Sequence, residues 1–329
     1  EEAHLRDQSA HRIWLPPLPP VIELSALPGL SGADDAGAVS PAVDQGSLRA
    51  PIGIIDRPYY QRQDELIIDF TQHGGHMALC GGPQSGKSSA LRTIVSALAL
   101  RHDPQTARFY VIDLGGGQLA SLERLPHVAG VAGREEGEKV RRIVDEVAGF
   151  IRRPERCATF LVIDGWHHIG TSNAEFEDIA EKVTEIVADG ASAHVHVIIA
   201  TSRWTTMRPA IRDLIANRLE LRLGEALDSL IDRKLQQKLP SAPGRGLTLT
   251  GEDMLLARTS NQDIAHICRV HAAADPVPQL KMLPAVLTPA ALAAQGDVPT
   301  GEIAWGIGGR DLDTLTWNPS REPHLVAIG

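Results

Sequence analysis

The stretch HMALCGGPQSGKSSALRTIVSALAL, His76 to Leu100, decides the fold. Met77 to Cys80 is an apolar run of strand length, glycine-bearing residues follow, and beyond Lys87 apolar residues recur near helical spacing. A strand, a turn and a helix are predicted in that order. The turn reads Gly81, Gly82, Pro83, Gln84, Ser85, Gly86, Lys87, Ser88 and then Ser89, which satisfies the spacing GxxxxGK[ST]. Each residue type has a physical reason. Glycines let the loop curl until backbone N–H groups point inward at phosphate oxygens, and the helix N-terminus adds its positive end. Lys87 supplies a mobile charge for the outer phosphates, and the Ser88 hydroxyl suits Mg2+. These residues predict an α/β fold holding ATP with Mg2+.

Such a loop needs a carboxylate on a neighbouring strand, and two apolar runs end in one. RFYVIDLGGG closes at Asp113 and TFLVIDGW at Asp164. Asp164 better fits the magnesium side, orienting a metal-bound water while Ser88 contacts the ion. Asp113 is a second catalytic candidate, or an acid that merely closes its strand. HVHVIIATSRW places Thr201 at another strand end. Its hydroxyl either meets the terminal phosphate or attacking water, or caps a turn; both readings stand.

Composition narrows the class. The 329 residues are 43% hydrophobic and 22% charged, ordinary for a globular chain, and the length allows one large α/β domain with appendages. No apolar run approaches the roughly 20 residues that span a bilayer, and the opening EEAHLRDQS is polar, unlike a signal peptide. A net charge of -9 argues against a phosphate-wrapping surface, so no nucleic acid is expected as partner. Cys80, Cys157 and Cys268 are widely spaced and read as reduced structural thiols. His194 and His196 fall on one face of an expected strand, as packed side chains rather than ligands.

Taken together, WLPPL, GGPQSGKS, FYVIDLGGG, LPHVAGVA, FLVIDGW, HVIIATSRW and PGRG resemble the FtsK/SpoIIIE branch of RecA-like motors. More closely, the chain is similar to the EccC ATPases of actinobacterial type VII (ESX) secretion. The resemblance implies a RecA-like P-loop NTPase fold: a central, mostly parallel sheet flanked by helices, with extended linkers. It also implies partners: adjacent ATPase domains of the same protein, membrane core components of the ESX system and WXG-type secreted substrates. A hexameric assembly is among the states it allows. The place implied is the cytoplasm, as the soluble part of an inner-membrane-associated complex, with the signal-binding pocket on the last domain of the tandem.

The chain departs from that pattern. FtsK-type motors usually carry glutamate after the strand-ending aspartate, and this chain has Gly165. Hydrolysis needs a group that positions or deprotonates the attacking water, and glycine has none. Tight ATP binding with slow or absent turnover is therefore expected. Thr201–Ser202–Arg203–Trp204 stands where relatives tend to have Thr-Gln-Arg-Pro, and FIRRPERCATF is shorter than its counterpart. Arg203 and Arg218 are candidates to reach a neighbouring site, or surface and ion-paired residues.

The organisation reads as four parts. Residues 1–48 are a Pro- and Gly-rich linker with a docking segment at Trp14–Leu18, and 49–272 form the ATPase domain. Residues 273–300 are a second linker, and 301–329 are the truncated start of a following ATPase domain. A loose repeat supports this last reading: WLPPL recurs as MLPAV, the glycine in IGI at Gly53 recurs at Gly306, and HMALCG recurs as HLVAIG. Ile179, Val183, Ile186 and Val187 make one apolar helix face stopped by Gly190. GLTLTGEDMLLARTS reads as a hairpin turning at Gly251–Asp253.

Overall fold

The computed structural model describes residues 15–30, 47–71, 75–170, 176–296, 298–309 and 312–326. They fall into two units, Glu1–Pro278 and Gln279–Gly329.

The first unit is built on one ten-stranded sheet. Its strands are β1 (Arg49–Arg57), β2 (Arg62–Asp69), β3 (Met77–Cys80), β4 (Ala107–Asp113), β5 (Val128–Gly133), β6 (Ala158–Asp164), β7 (Val195–Thr201), β8 (Asn217–Leu221), β9 (Arg245–Leu247) and β10 (Asp253–Leu256). The helices are α1 (Lys87–Arg101), α2 (Gly137–Arg152), α3 (His167–Gly170), α4 (Glu177–Asp189), α5 (Pro209–Arg212), α6 (Arg233–Lys238) and α7 (Asn261–Val270). The sheet order is β2-β1-β10-β9-β8-β3-β7-β6-β4-β5. From β8 to β5 all neighbours are parallel. From β8 outward to β2 they are antiparallel.

The apolar runs dictate this layout. Every residue of β3, β4, β6 and β7 is buried, as strands covered by helices on both faces must be. Helix α1 buries Leu91, Ile94, Val95 and Leu98 in the central core, whereas α2 and α4 bury one stripe each. Parallel order brings the strand ends Cys80, Asp113, Asp164 and Thr201 to one edge, where ligands of open α/β sheets bind.

The opposite part of the sheet holds buried imidazoles. His196 packs against Phe160 and Phe70, and His127 packs edge-on to His271. Burial pushes His76, His102, His127 and His196 down to about 4, so all four fold neutral.

Several expectations change in detail. His194 and His196 do not share a strand face, because β7 starts at Val195 and His194 precedes it in the left-handed region at φ 58°. Helix α4 does stop at Gly190, which caps it at φ -65° as the chain runs on into a 3-10 turn; a Cβ there would lie 2.8 Å from the Val195 carbonyl oxygen. The β9–β10 hairpin forms, with its turn held by Gly251 N–H to Thr248 O at 2.9 Å and Thr248 N–H to Glu252 O at 3.0 Å.

Residues 15–30 lie along this same unit. Leu24, Leu27 and Leu30 enter its core, the Leu24 N–H donates to Arg258 O at 3.0 Å, and Glu23 pairs with Arg258 at 2.6 Å. Trp14, on which the docking expectation also rests, lies outside the described residues.

The second unit carries α8 (Pro289–Ala293) and a hairpin of β11 (Ile303–Gly308) and β12 (Asp313–Trp317). Its register slips between Ala304 and Gly306, and that of β1–β2 slips between Pro51 and Gly53. The two glycines paired by the sequence repeat thus occupy the same irregularity in the same kind of hairpin. The last residues of the HLVAIG segment, 327–329, lie outside the described residues.

Candidate nucleotide site

The loop between β3 and α1 is wrapped around its own carbonyls. Lys87 Nζ donates to Gly81 O at 2.9 Å and to Gly82 O at 2.8 Å. Ser85 contributes its N–H at 3.3 Å and its Oγ at 2.8 Å to that same Gly82 oxygen. Gly86 opens the helix at φ 100°, which only glycine adopts readily, and Gln84 sits at φ 57°. Pro83 and Gln84 are exposed at the tip, Ser85 is buried, and Ser88 and Ser89 are half-buried at the first helical turn.

Neighbouring strands brace the loop from outside. The Gly81 N–H donates to Thr201 O at 3.1 Å, and the Gly82 N–H to Arg222 O at 2.9 Å. The Gly244 N–H, inside the PGRG segment, donates to Ser85 O at 2.8 Å.

Ser88 Oγ donates a short hydrogen bond to Asp164 Oδ2, so the hydroxyl at the start of α1 and the carboxylate at the end of β6 meet. Burial raises the Asp164 pKa, against the Ser88 hydrogen bond and the Lys87 charge, while the Asp113 charge raises it further. Burial lowers Lys87, opposed by Asp164. A buried carboxylate, a hydroxyl and an ammonium converging at one helix N-terminus fit Mg2+ and a polyphosphate. Ser88 and Asp164 would hold the ion, which would neutralise phosphate charge.

Asp113 is placed differently. Its Oδ1 accepts from Gly115 N–H at 3.1 Å and its Oδ2 from Leu119 N–H at 2.8 Å. Both oxygens fasten the triple-glycine loop that follows β4. Gly115 in turn abuts Asp164, since a Cβ there would lie 2.6 Å from its Oδ2. The Thr201 hydroxyl pairs with Thr206 Oγ1 at 2.7 Å, inside the turn after β7.

Gly165 has φ 79°, and a Cβ on it would meet the Leu114 carbonyl carbon at 3.0 Å, Gly115 N at 3.2 Å and His168 Cδ2 at 3.2 Å. The backbone here is shaped for glycine, so a glutamate would enter a strained, crowded position. Arg203 is 60% exposed and lies 3.6 Å from Asp228. Arg218 instead donates to the Ile215 and Arg212 carbonyls.

One residue escaped sequence reasoning. Glu220, in RLELRL, is fully buried on β8. It accepts from Trp204 Nε1 at 2.7 Å, Ser229 Oγ at 2.7 Å, Leu230 N–H at 2.8 Å and Gln236 Nε2 at 3.0 Å. Four donors satisfy the buried carboxyl group and tie down residues 229–236 beside the loop. An acid between two arginines reads as solvated, and its partners lie too far along the chain to signal otherwise.

The fold and site define a P-loop ATPase, and the chain belongs to the FtsK/SpoIIIE family, whose pattern matches residues 43–266. Among curated relatives it is 36% identical to the ESX-4 secretion system protein EccC4 of Mycobacterium tuberculosis, over 98% of this chain. It spans 27% of that protein. Among solved structures, the cytoplasmic domain of the Thermomonospora curvata type VII secretion ATPase EccC matches with a TM-score of 0.79 and 33% identity, covering 94% of this chain and 41% of that one. ATPases 2 and 3 of the same EccC, in complex with a signal sequence peptide, match at 0.72 and 32% identity over 83% and 56%. No helix among the described residues is long and apolar enough to cross a membrane.

Proposed function

We propose that this is an ATP-binding module of a type VII secretion motor that holds Mg2+–ATP tightly, cleaves it slowly, and serves assembly or regulation of protein export. The observation that carries this reading is the contrast within one strand end. Asp164 already meets Ser88, while the next residue is a glycine whose left-handed backbone would strain any side chain. Lys87 needs only to exchange two backbone carbonyls for phosphate oxygens. The general-base contribution that Gly165 cannot make is on the order of 10²–10⁴ in rate.

The alternative is an active hydrolytic motor in which Asp113 takes over the water. Its two oxygens are engaged by backbone N–H groups, which favours the first reading. A DNA translocase is disfavoured by the charge of -9. By family likeness, the module works beside further ATPase domains of its own protein and the membrane core. It would sit on the cytoplasmic side of an inner-membrane complex that exports WXG-type substrates.

Calorimetric titration with ATP, with and without Mg2+, run beside steady-state phosphate release, tests this. Expected is micromolar or tighter Mg2+-dependent binding with negligible release. Brisk release that disappears in Asp113→Ala would support the alternative instead.

A further inference from the structure

The space in front of residue 165 is occupied. The turn after β6 is anchored by Trp166 and Ile169, both almost fully buried, and by the Trp166 N–H donating to Ala200 O at 3.0 Å. The His168 N–H donates to Gly165 O at 2.9 Å, closing the turn. With Trp166 and Ile169 fixed inward, His167 and His168 are the half-buried members of the turn, their rings 4.1 Å apart. A Cβ on residue 165 would lie 3.2 Å from His168 Cδ2, with the Leu114 and Gly115 backbone as close. An imidazole therefore borders the position from which a side chain on residue 165 would start.

We propose that His168 supplies in part the water-positioning, proton-accepting function that residue 165 lacks, and that the slow cleavage proposed above runs through its imidazole. This rests on the nucleotide-site reading and deepens it. The step balances without another reactant. An imidazole nitrogen takes a proton from the attacking water as the water oxygen bonds to the terminal phosphorus. The bond from that phosphorus to the bridging oxygen breaks, and its electron pair stays on the β-phosphate of ADP. The imidazolium then returns its proton to the released phosphate or to solvent.

The charged groups around the turn suit a neutral base. Burial and the Arg134 charge beyond β5 lower His168 below its ordinary value. Burial, His168, Lys87 and Arg134 lower His167. Asp164 ends β6 itself and Asp113 ends β4 beside it. An imidazole kept neutral near pH 7 can accept a proton, and a ring that protonates at lower pH loses that capacity.

The test is single-turnover cleavage with protein in excess over ATP, for wild type, His168→Ala, His168→Gln and His167→Gln, with ATP affinity measured in parallel. Expected in His168→Ala is cleavage slowed roughly 10²-fold with affinity nearly unchanged. Added imidazole should restore part of the rate in that variant and none in wild type. The fall in rate at acid pH should appear in wild type and His167→Gln and vanish in both His168 variants. Wild-type cleavage rates in the His168 variants would overturn the proposal. So would a loss that imidazole does not rescue, or intact ATP that wild type binds and never cleaves. Wild type that fails to bind ATP would bring down the nucleotide-site reading as well.

Discussion

Strands β4 and β6 lie side by side, end in the same Val-Ile-Asp, and set Asp113 and Asp164 in register. The two carboxylates nevertheless do different things. After Asp164 the chain passes through a single left-handed glycine into a turn, leaving the carboxylate facing Ser88 on α1. After Asp113 it enters a loop that bends back, so the backbone N–H groups of Gly115 and Leu119 claim both oxygens. A strand-end aspartate is thus assigned its place by the strand and its role by the backbone that follows. The two are also coupled: Asp113 fastens the loop that lays Gly115 against Asp164.

This contrast can be broken or sharpened by substitution. The largest effect is expected at the phosphate end, where Lys87→Ala or Asp164→Ala should weaken Mg2+–ATP binding by roughly 10²-fold, as loss of charge-assisted contacts predicts. Titration calorimetry reads this directly. Asp113→Ala should act the other way round. It leaves the buried Leu119 N–H without an acceptor and frees the exposed Gly115 N–H to solvent, so it should lower unfolding stability by about 2 kcal/mol while ATP affinity changes only slightly. If both aspartates affected affinity equally, their division of labour would be wrong. A smaller cost, about 1–2 kcal/mol in denaturant unfolding, is expected for Gly165→Ala, because alanine is strained in the left-handed region.

The smallest effect per residue concerns the other end of the sheet. His76, His102, His127 and His196 fold with values near 4, against 6.5 for the free side chain. The unfolded chain therefore takes up protons below about pH 6.5 that the folded chain refuses. Stability is full above that pH and is lost as pH falls toward 4, by roughly half a kcal/mol per histidine between pH 7 and 6. Thermal melts across that window should drop steadily, and replacing His196 with Phe should remove part of the slope.

How far the sequence could be read follows the same division. The P-loop, the apolar central strands, the α1 helix and the α4 stripe were legible because each depends on residues a few positions apart. The glycine-marked slip at Gly53 and Gly306 was visible as a repeat, although neither copy alone marks an irregular hairpin. Asp113 was left with two readings because its partners are backbone N–H groups, which no side-chain pattern reveals. Glu220 was missed because its four donors come from Trp204 and residues 229–236. The proximity of His168 to Gly165 depends on one positive φ angle, which a glycine allows but does not announce.

The central claim is that the cradle is whole while cleavage is slow. It is tested most directly by mixing purified protein with an equal amount of ATP and Mg2+, removing free nucleotide, denaturing at successive times and identifying what was bound. The account predicts near-stoichiometric ATP, mostly intact at early times and converted to ADP only gradually. An empty protein, or ADP alone at the first time point, would contradict it.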